Sequence, residues 1–336
     1  MNRNQVRSYE RPVSLGGLTN PNSDDVTLRW FGTACFELSF GDRVLLLDNY
    51  YERAPKNRSL GFATEDVIRA DMILVGHPHH DHVADTVQVS QQTGARALIH
   101  PIGADFLLKN GLPADKVVQV TGLGEGDVLD EEDYSVRVLH GYHMDFDLGP
   151  VQVAKWHALT KARNDFESEF FPVPTPQENE QGAAIALRGV HTDEVNTEAT
   201  LTYIIEIDGF RIAYRDSGGA ISDEELAYFT ANPAVDVAIL SINGFPHVAQ
   251  QLEDVFMPLV RLYQPKVLVP AHHDELWTNF DGSGLNKIFA DVATEPIKDR
   301  VHEELPDTIT AQPGLIEPLS VNRAKGEVTL GELHLR

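Results

Sequence analysis

His77-Pro78-His79-His80-Asp81-His82 decides how this sequence reads, because His77, His79, Asp81 and His82 put four potential metal ligands into six residues. The residues before it, 71–75, form a short apolar run of the kind that makes a buried strand, and residues 81–93 have helical spacing closed by Gly94. The cluster therefore sits in a loop between a strand and a helix. In an extended segment alternate residues point the same way, so His77 and His79 face one position, whereas Asp81 and His82 begin the helix and turn toward a neighbouring one. Two metal ions side by side are the consequence. Imidazole and carboxylate suit Zn, Mn or Fe, each neutral imidazole offering one nitrogen at roughly 2.0–2.1 Å. The competing reading, a solvated His-rich loop, does not explain this framing by strand and helix or the further His groups downstream.

Outward from the cluster, strands and helices alternate. Residues 26–31, 35–40 and 43–48 are short β-branched or apolar runs, with Gly41-Asp42 as a two-residue hairpin signal between the last two. After the cluster come strand-like 95–100, helix-like 104–110, strand-like 117–120 and a strand over 134–139 that leads to a second His group. Residues 144–182 break the pattern: Pro172, Pro174 and Pro176 punctuate them and acidic residues dominate their second half, which reads as an insertion. Regular structure resumes with a hairpin over Asp208-Gly209, a helix from Asp223 to about Thr230 and a strand over 235–242. An amphipathic helix over 252–263 and a strand over 266–270 then lead to His272-His273. Each His group thus stands where a strand ends, where α/β proteins gather ligand sites. Residues 1–25 read as an N-terminal extension and 26–336 as one α/β domain carrying the insertion.

Composition narrows the function classes. With 336 residues and 42% hydrophobic content the chain can bury a sizeable core. A formal net charge of -24 makes phosphate backbones and anionic membranes poor partners, so neither nucleic acid nor membrane binding is expected. Cys35 is the single cysteine, which excludes a thiolate metal cage and an intrachain disulfide and leaves His and carboxylates as the ligands. Residues 1–20 are polar and hold no apolar run of the length a signal peptide needs, so a cytoplasmic location is expected.

The spacing from His77 to His82 is the HxHxDH signature, and the chain resembles the metallo-β-lactamase superfamily. The resemblance spans most of residues 26–282 and implies an α/β, four-layer αββα sandwich. Ile212-Ala213-Tyr214-Arg215-Asp216-Ser217-Gly218 is similar to the strand whose Asp bridges the two metals, with Arg215 where the family usually has Gly. Val267 to Asp274, followed by Leu276-Trp277-Thr278-Asn279-Phe280, is similar to the C-terminal His motif of the L-ascorbate-6-phosphate lactonase-like branch. That likeness implies His272 as the ligand completing the metal shared with Asp81 and His82, with His273, like His80, lying behind the ligands. For the third ligand beside His77 and His79 two candidates stand. His143 closes a strand that follows Gly126-Asp127-Val128; His191 closes residues 184–191, which also read as a strand, at a distance to Asp216 nearer the family's. His143 is preferred if the insertion follows the motif, His191 if it precedes it. The lactonase branch itself has Asp at this position. Asp48, closing Leu45-Leu46-Leu47, matches the early Asp that supports a ligand His by a hydrogen bond.

The resemblance implies a metal-dependent hydrolase in which two divalent ions about 3.5–4 Å apart share a hydroxide that attacks a small-molecule ester, lactone or related bond. In that scheme Asp216 holds both ions and Asp81 is available to orient the water. Zn is the default of the superfamily, and Mn is what the lactonase-like branch suggests. Trp277, Phe280 and Tyr142 stand close to ligand motifs as candidate pocket walls. The insertion, with Phe166, Phe170 and Phe171, is a candidate lid or homo-oligomer contact. Two other readings are a phosphodiesterase or nuclease, which the acidic charge disfavours, and an iron-binding redox relative, whose usual fused electron-carrier domain finds no room after residue 300.

Overall fold

The hairpin foreseen at Gly41-Asp42 opens the fold in the computed structural model of the chain, which describes residues 24–53, 62–123, 127–144, 176–242, 252–273 and 285–330. Strands β1 (Asp25–Trp30), β2 (Phe36–Phe40) and β3 (Arg43–Leu47) form an antiparallel meander, with Gly41 at φ 49° carrying the turn. Strands β4 (Met72–Leu74), β5 (Arg96–Ile99) and β6 (Val117–Gln119) then add to β3 in parallel. Parallel neighbours need crossovers, supplied by α1 (His80–Val83) with α2 (Thr86–Thr93), and by α3 (Pro101–Lys109).

The second sheet holds β7 (Val128–Asp130), β8 (Ser135–Gly141), β9 (Thr200–Ile207), β10 (Phe210–Arg215), β11 (Val237–Ser241), β12 (Val267–Ala271) and β13 (Ile309–Thr310), in the order β13-β12-β11-β10-β9-β8-β7. Helices α4 (Pro176–Ala186) and α5 (Asp193–Glu198) precede β9, and α6 (Asp223–Ala231), α7 (Met257–Tyr263) and α8 (Leu285–Glu304) follow β10, β11 and β12. Finally β14 (Pro318–Asn322) and β15 (Val328–Leu330) return to the first sheet beside β1.

Strand alternation explains the layering. In β3, Leu45 and Leu47 face the other sheet, while Val44 and Leu46 face helices; in β11, Val237 and Ile239 face inward and Ala238 and Leu240 outward. Strands covered on both faces are apolar throughout, as Arg43-Val44-Leu45-Leu46-Leu47 illustrates after its first residue. Three apolar clusters result: one between the sheets, one under α2 and α3, and one under α6 and α7 that also takes in Ile297 and Val301 of α8. This is the four-layer αββα sandwich that the resemblance implies.

Three local expectations need correction. The helix expected over 81–93 is two, parted at Ala84-Asp85, because the buried Asp85 carboxylate accepts the Tyr51 and Glu52 amides at 2.6 and 3.0 Å instead of continuing regular winding. The helix expected over 252–263 begins as a π-turn over Leu252–Phe256, since Pro258 lacks the N–H that an even α-ladder requires. Residues 184–191 are not a strand: α4 runs to Ala186 and a loop follows, held to Pro78 by the Val190 amide (2.7 Å). Period-2 patterning there is overridden by helix-forming alanines and by docking on the His cluster.

Most of the insertion read at 144–182, with Phe166, Phe170 and Phe171, lies outside the described residues, as do Trp277, Phe280 and nearly all of the N-terminal extension. Among the described residues no helix is long and apolar enough to cross a membrane.

Candidate metal centre

The carboxyl ends of β3, β4, β8, β10 and β12 open on one side of the sandwich, and the loops leaving them carry Asp48, His77 to His82, His143, Asp216 and His272. Ligand-type atoms of His77, His79 and His143 lie within 4.8 Å of one another, and so do those of Asp81, His82 and His272. A third group, His77, His82 and Asp216, joins the two. Asp216 Oδ2 is 2.6 Å from His77 Nδ1 and 3.3 Å from His82 Nδ1, so the carboxylate stands between the clusters.

Hydrogen bonds set which nitrogen each ring presents. His143 Nδ1 donates to the Met144 carbonyl at 2.9 Å, which leaves Nε2 as the acceptor atom. His77 Nε2 and His79 Nδ1 face each other at 3.0 Å. In the second cluster Asp81 Oδ2 is 3.2 Å from His272 Nε2 and 3.3 Å from His82 Nε2. His82 Nδ1 is held by Asp48 Oδ2 at 2.6 Å, the support foreseen for Asp48. Asp48 is itself pinned: its Oδ1 accepts the Gly76 amide at 2.8 Å and its Oδ2 the Tyr214 hydroxyl at 2.5 Å.

Burial and charge fit these atoms to cations. Burial, first among the causes, pushes the pKa of His77 and His79 down and that of His143 down to about 4, which keeps the rings neutral with lone pairs free. For His82 burial works against the charged form, yet Asp81 and Asp48 more than offset it and the pKa rises. Burial likewise raises Asp48 and Asp216. Asp216 Oδ1 and His272 Nδ1 are buried without a hydrogen-bond partner, although buried polar atoms are ordinarily paired. An unpartnered carboxylate oxygen beside buried imidazoles and carboxylates is what a divalent cation would satisfy, and these donor types suit such an ion.

The remaining sequence candidates surround this cluster. His191 is not in the group of ligand-type atoms formed by His77, His79 and His143. It is exposed, stacks on His79 with centroids 4.6 Å apart, and its Nε2 meets His80 Nδ1 at 3.2 Å. His80 is buried behind the loop, with its Nδ1 3.7 Å from Asp81 Oδ1. His273 is buried and stacks on Trp30 at 4.8 Å. Tyr142 is partly exposed and packs edge-on against His140.

Two contributors carry no sequence signal of their own. Gly76 lets Asp216 approach: a Cβ there would lie 2.1 Å from Asp216 Cγ. Tyr214 is an inward-facing residue of β10, and its hydroxyl bond to Asp48 connects it to the site. Tyr214→Phe is expected to weaken metal binding by roughly tenfold, the lower end for groups that orient a ligand; equal metal affinity of the variant and the parent chain in a competition titration would refute the link.

The model of the family described as "Beta-lactamase superfamily domain" matches residues 27–272. A metal-dependent hydrolase of Thermococcus onnurineus is 24% identical over 249 residues, covering 74% of this chain and 85% of that protein. A metal-dependent hydrolase of Methanosarcina mazei is 29% identical over 120 residues, covering 35% of this chain and 47% of its own length. Among solved structures, Igni18, a metallo hydrolase from Ignicoccus hospitalis, superposes with a TM-score of 0.55 at 15% identity, over 88% of this chain and 98% of that one. The diiron β-hydroxylase CmlA of Streptomyces venezuelae gives 0.55 at 13% identity, over 89% and 54%. At such identities the superpositions speak for the fold alone, but the family model spans well over half the chain, its HxHxDH loop and strand ends included: the chain belongs to the beta-lactamase superfamily.

Proposed function

We propose that the chain is a metal-dependent hydrolase holding two divalent cations, Zn or Mn, and acting on a small molecule with an ester, lactone or related bond. The observation that carries this reading is the pair of ligand clusters joined by Asp216, whose second oxygen is buried and unpartnered. His77, His79 and His143 would hold one cation, Asp81, His82 and His272 the other, and Asp216 both. Such a pair supplies Lewis acidity and lowers the pKa of water toward neutrality. The residues themselves do the positioning. Asp48 fixes the tautomer and orientation of His82, Met144 does the same for His143, and Asp81, reached by both His82 and His272, is placed to accept a proton. The names of the hydrolase relatives support the reaction class, and the net charge of -24 supports a small substrate over a polyanion.

Elemental analysis of the purified chain is expected to find two Zn or Mn per chain. Chelation is expected to abolish turnover, and either metal to restore it on a panel of lactones, phosphodiesters, β-lactams and amides. Tightly bound iron with no hydrolysis would move the chain to the redox reading, and cleavage of RNA or DNA that weakens steeply with salt would move it to the nuclease reading.

A further inference from the structure

Arg215 occupies the position where the superfamily resemblance leads one to expect glycine, and its side chain is completely buried with that of its partner, Glu225 of α6. Arg215 Nε donates to Glu225 Oε1 at 2.8 Å. The same carboxylate oxygen accepts the Thr202 and Tyr263 hydroxyls at 2.7 Å each, and Oε2 accepts the Ser222 amide at 3.0 Å. The far end of the guanidinium does something else. Nη1 donates to the Ser217 carbonyl at 2.5 Å, and Nη2 donates to the Ala220 carbonyl at 2.7 Å and reaches the Tyr142 carbonyl at 3.5 Å. One side chain thus grips the turn that follows Asp216 and the loop that carries His143.

The two segments meet backbone to backbone. A Cβ on Gly219 would lie 1.8 Å from the Tyr142 carbonyl oxygen, the Ser217 hydroxyl accepts the Met144 amide at 3.1 Å, and the Ser222 hydroxyl donates to the His140 carbonyl at 2.5 Å. A buried ion pair is costly to desolvate, and apolar residues of similar volume often serve stability as well or better. An apolar side chain could not hold main-chain carbonyls from two loops, and a lysine, with one point of charge, does not reproduce a planar fork.

We propose that Arg215 is a positioning residue that locks the Asp216 turn to the His143 loop, so that the cation site of His77, His79 and His143 is formed only while the fork is closed. This rests on the two-cation reading above. The site of Asp81, His82 and His272 is carried by other loops and depends on the fork only through Asp216.

The test is a Zn titration of metal-free protein by calorimetry, with Co as a visible-absorption probe of coordination, on the parent chain, Arg215→Lys, Arg215→Met and Ser217→Ala. His143→Ala identifies which binding step belongs to the first site. In Arg215→Lys and Arg215→Met that step is expected to weaken by about 10–100-fold, as for other groups that orient ligands, with an altered Co spectrum and a smaller change in the other step. Ser217→Ala, which removes a single bond between the two loops, is expected to weaken the same step less and carries the test if the Arg215 variants do not fold. A lowered melting temperature with both steps and the spectrum unchanged in the folded variants would make Arg215 merely structural and overturn the proposal, as would full rescue by lysine. A parent chain that binds no metal would overturn the two-cation reading itself, and this proposal with it.

Discussion

Asp216→Asn is expected to reduce metal-dependent turnover on the order of a thousandfold, because a carboxylate holding both cations of the proposed pair would support several kcal/mol of electrostatic stabilisation and each 1.4 kcal/mol or so is tenfold in rate. Asparagine keeps the volume and offers a single neutral carbonyl oxygen where the carboxylate stands between His77 and His82. Burial already disfavours the charge of Asp216, and its Oδ1 has no partner, so the carboxylate is an expense to the metal-free fold. The metal-free variant is therefore expected to melt no lower than the parent, while the stabilisation that added cations give the parent is largely lost. Parent-level turnover together with two bound metals in the variant would show that Asp216 does not bridge.

Gly76→Ala is expected to damage both stability and the site. The added Cβ would lie 2.1 Å from both Cγ and Oδ2 of Asp216, and neither neighbour has room to yield. The Gly76 amide is bonded to Asp48 Oδ1 at 2.8 Å and its carbonyl accepts the Leu201 amide at 2.8 Å, so the backbone is held from both sides. Asp216 is short, and the strand it directly follows, β10, is paired on both edges, with β9 and β11. Overpacking of this kind costs about 1–3 kcal/mol, and the displaced carboxylate should lower turnover nearly as far as Asp216→Asn does. Denaturant unfolding combined with metal analysis measures both; an alanine variant with parent stability and two metals would mean that the Gly76 approach is immaterial.

The sequence by itself determined the family and the framework. The order of strands and helices follows from local periodicity and turn residues, and these do not depend on distant partners: Gly41-Asp42 turns the first hairpin, Asp208-Gly209 the later one, and Gly94 ends α2 in the left-handed region at φ 81°. The HxHxDH spacing likewise points His77 and His79 one way and Asp81 and His82 another through backbone geometry alone. What lies between residues far apart in the chain was legible only in three dimensions. Whether His143 or His191 stands beside His77 and His79 depended on where the insertion enters the chain relative to the motif, and a loop docked through Gly189 and Val190 leaves His191 outside the group of His77, His79 and His143, stacked on His79. Residues 184–191 misled because an alternating pattern of small and apolar residues suits a strand as well as the end of a helix, and the contact with Pro78 that decided between them spans more than a hundred residues of chain. The roles of Gly76, Tyr214 and Arg215 were invisible for the same reason: each is a matter of 2 to 3 Å between segments far apart in the chain or between a strand end and a helix, and which of these meet is fixed by tertiary packing rather than by any local pattern.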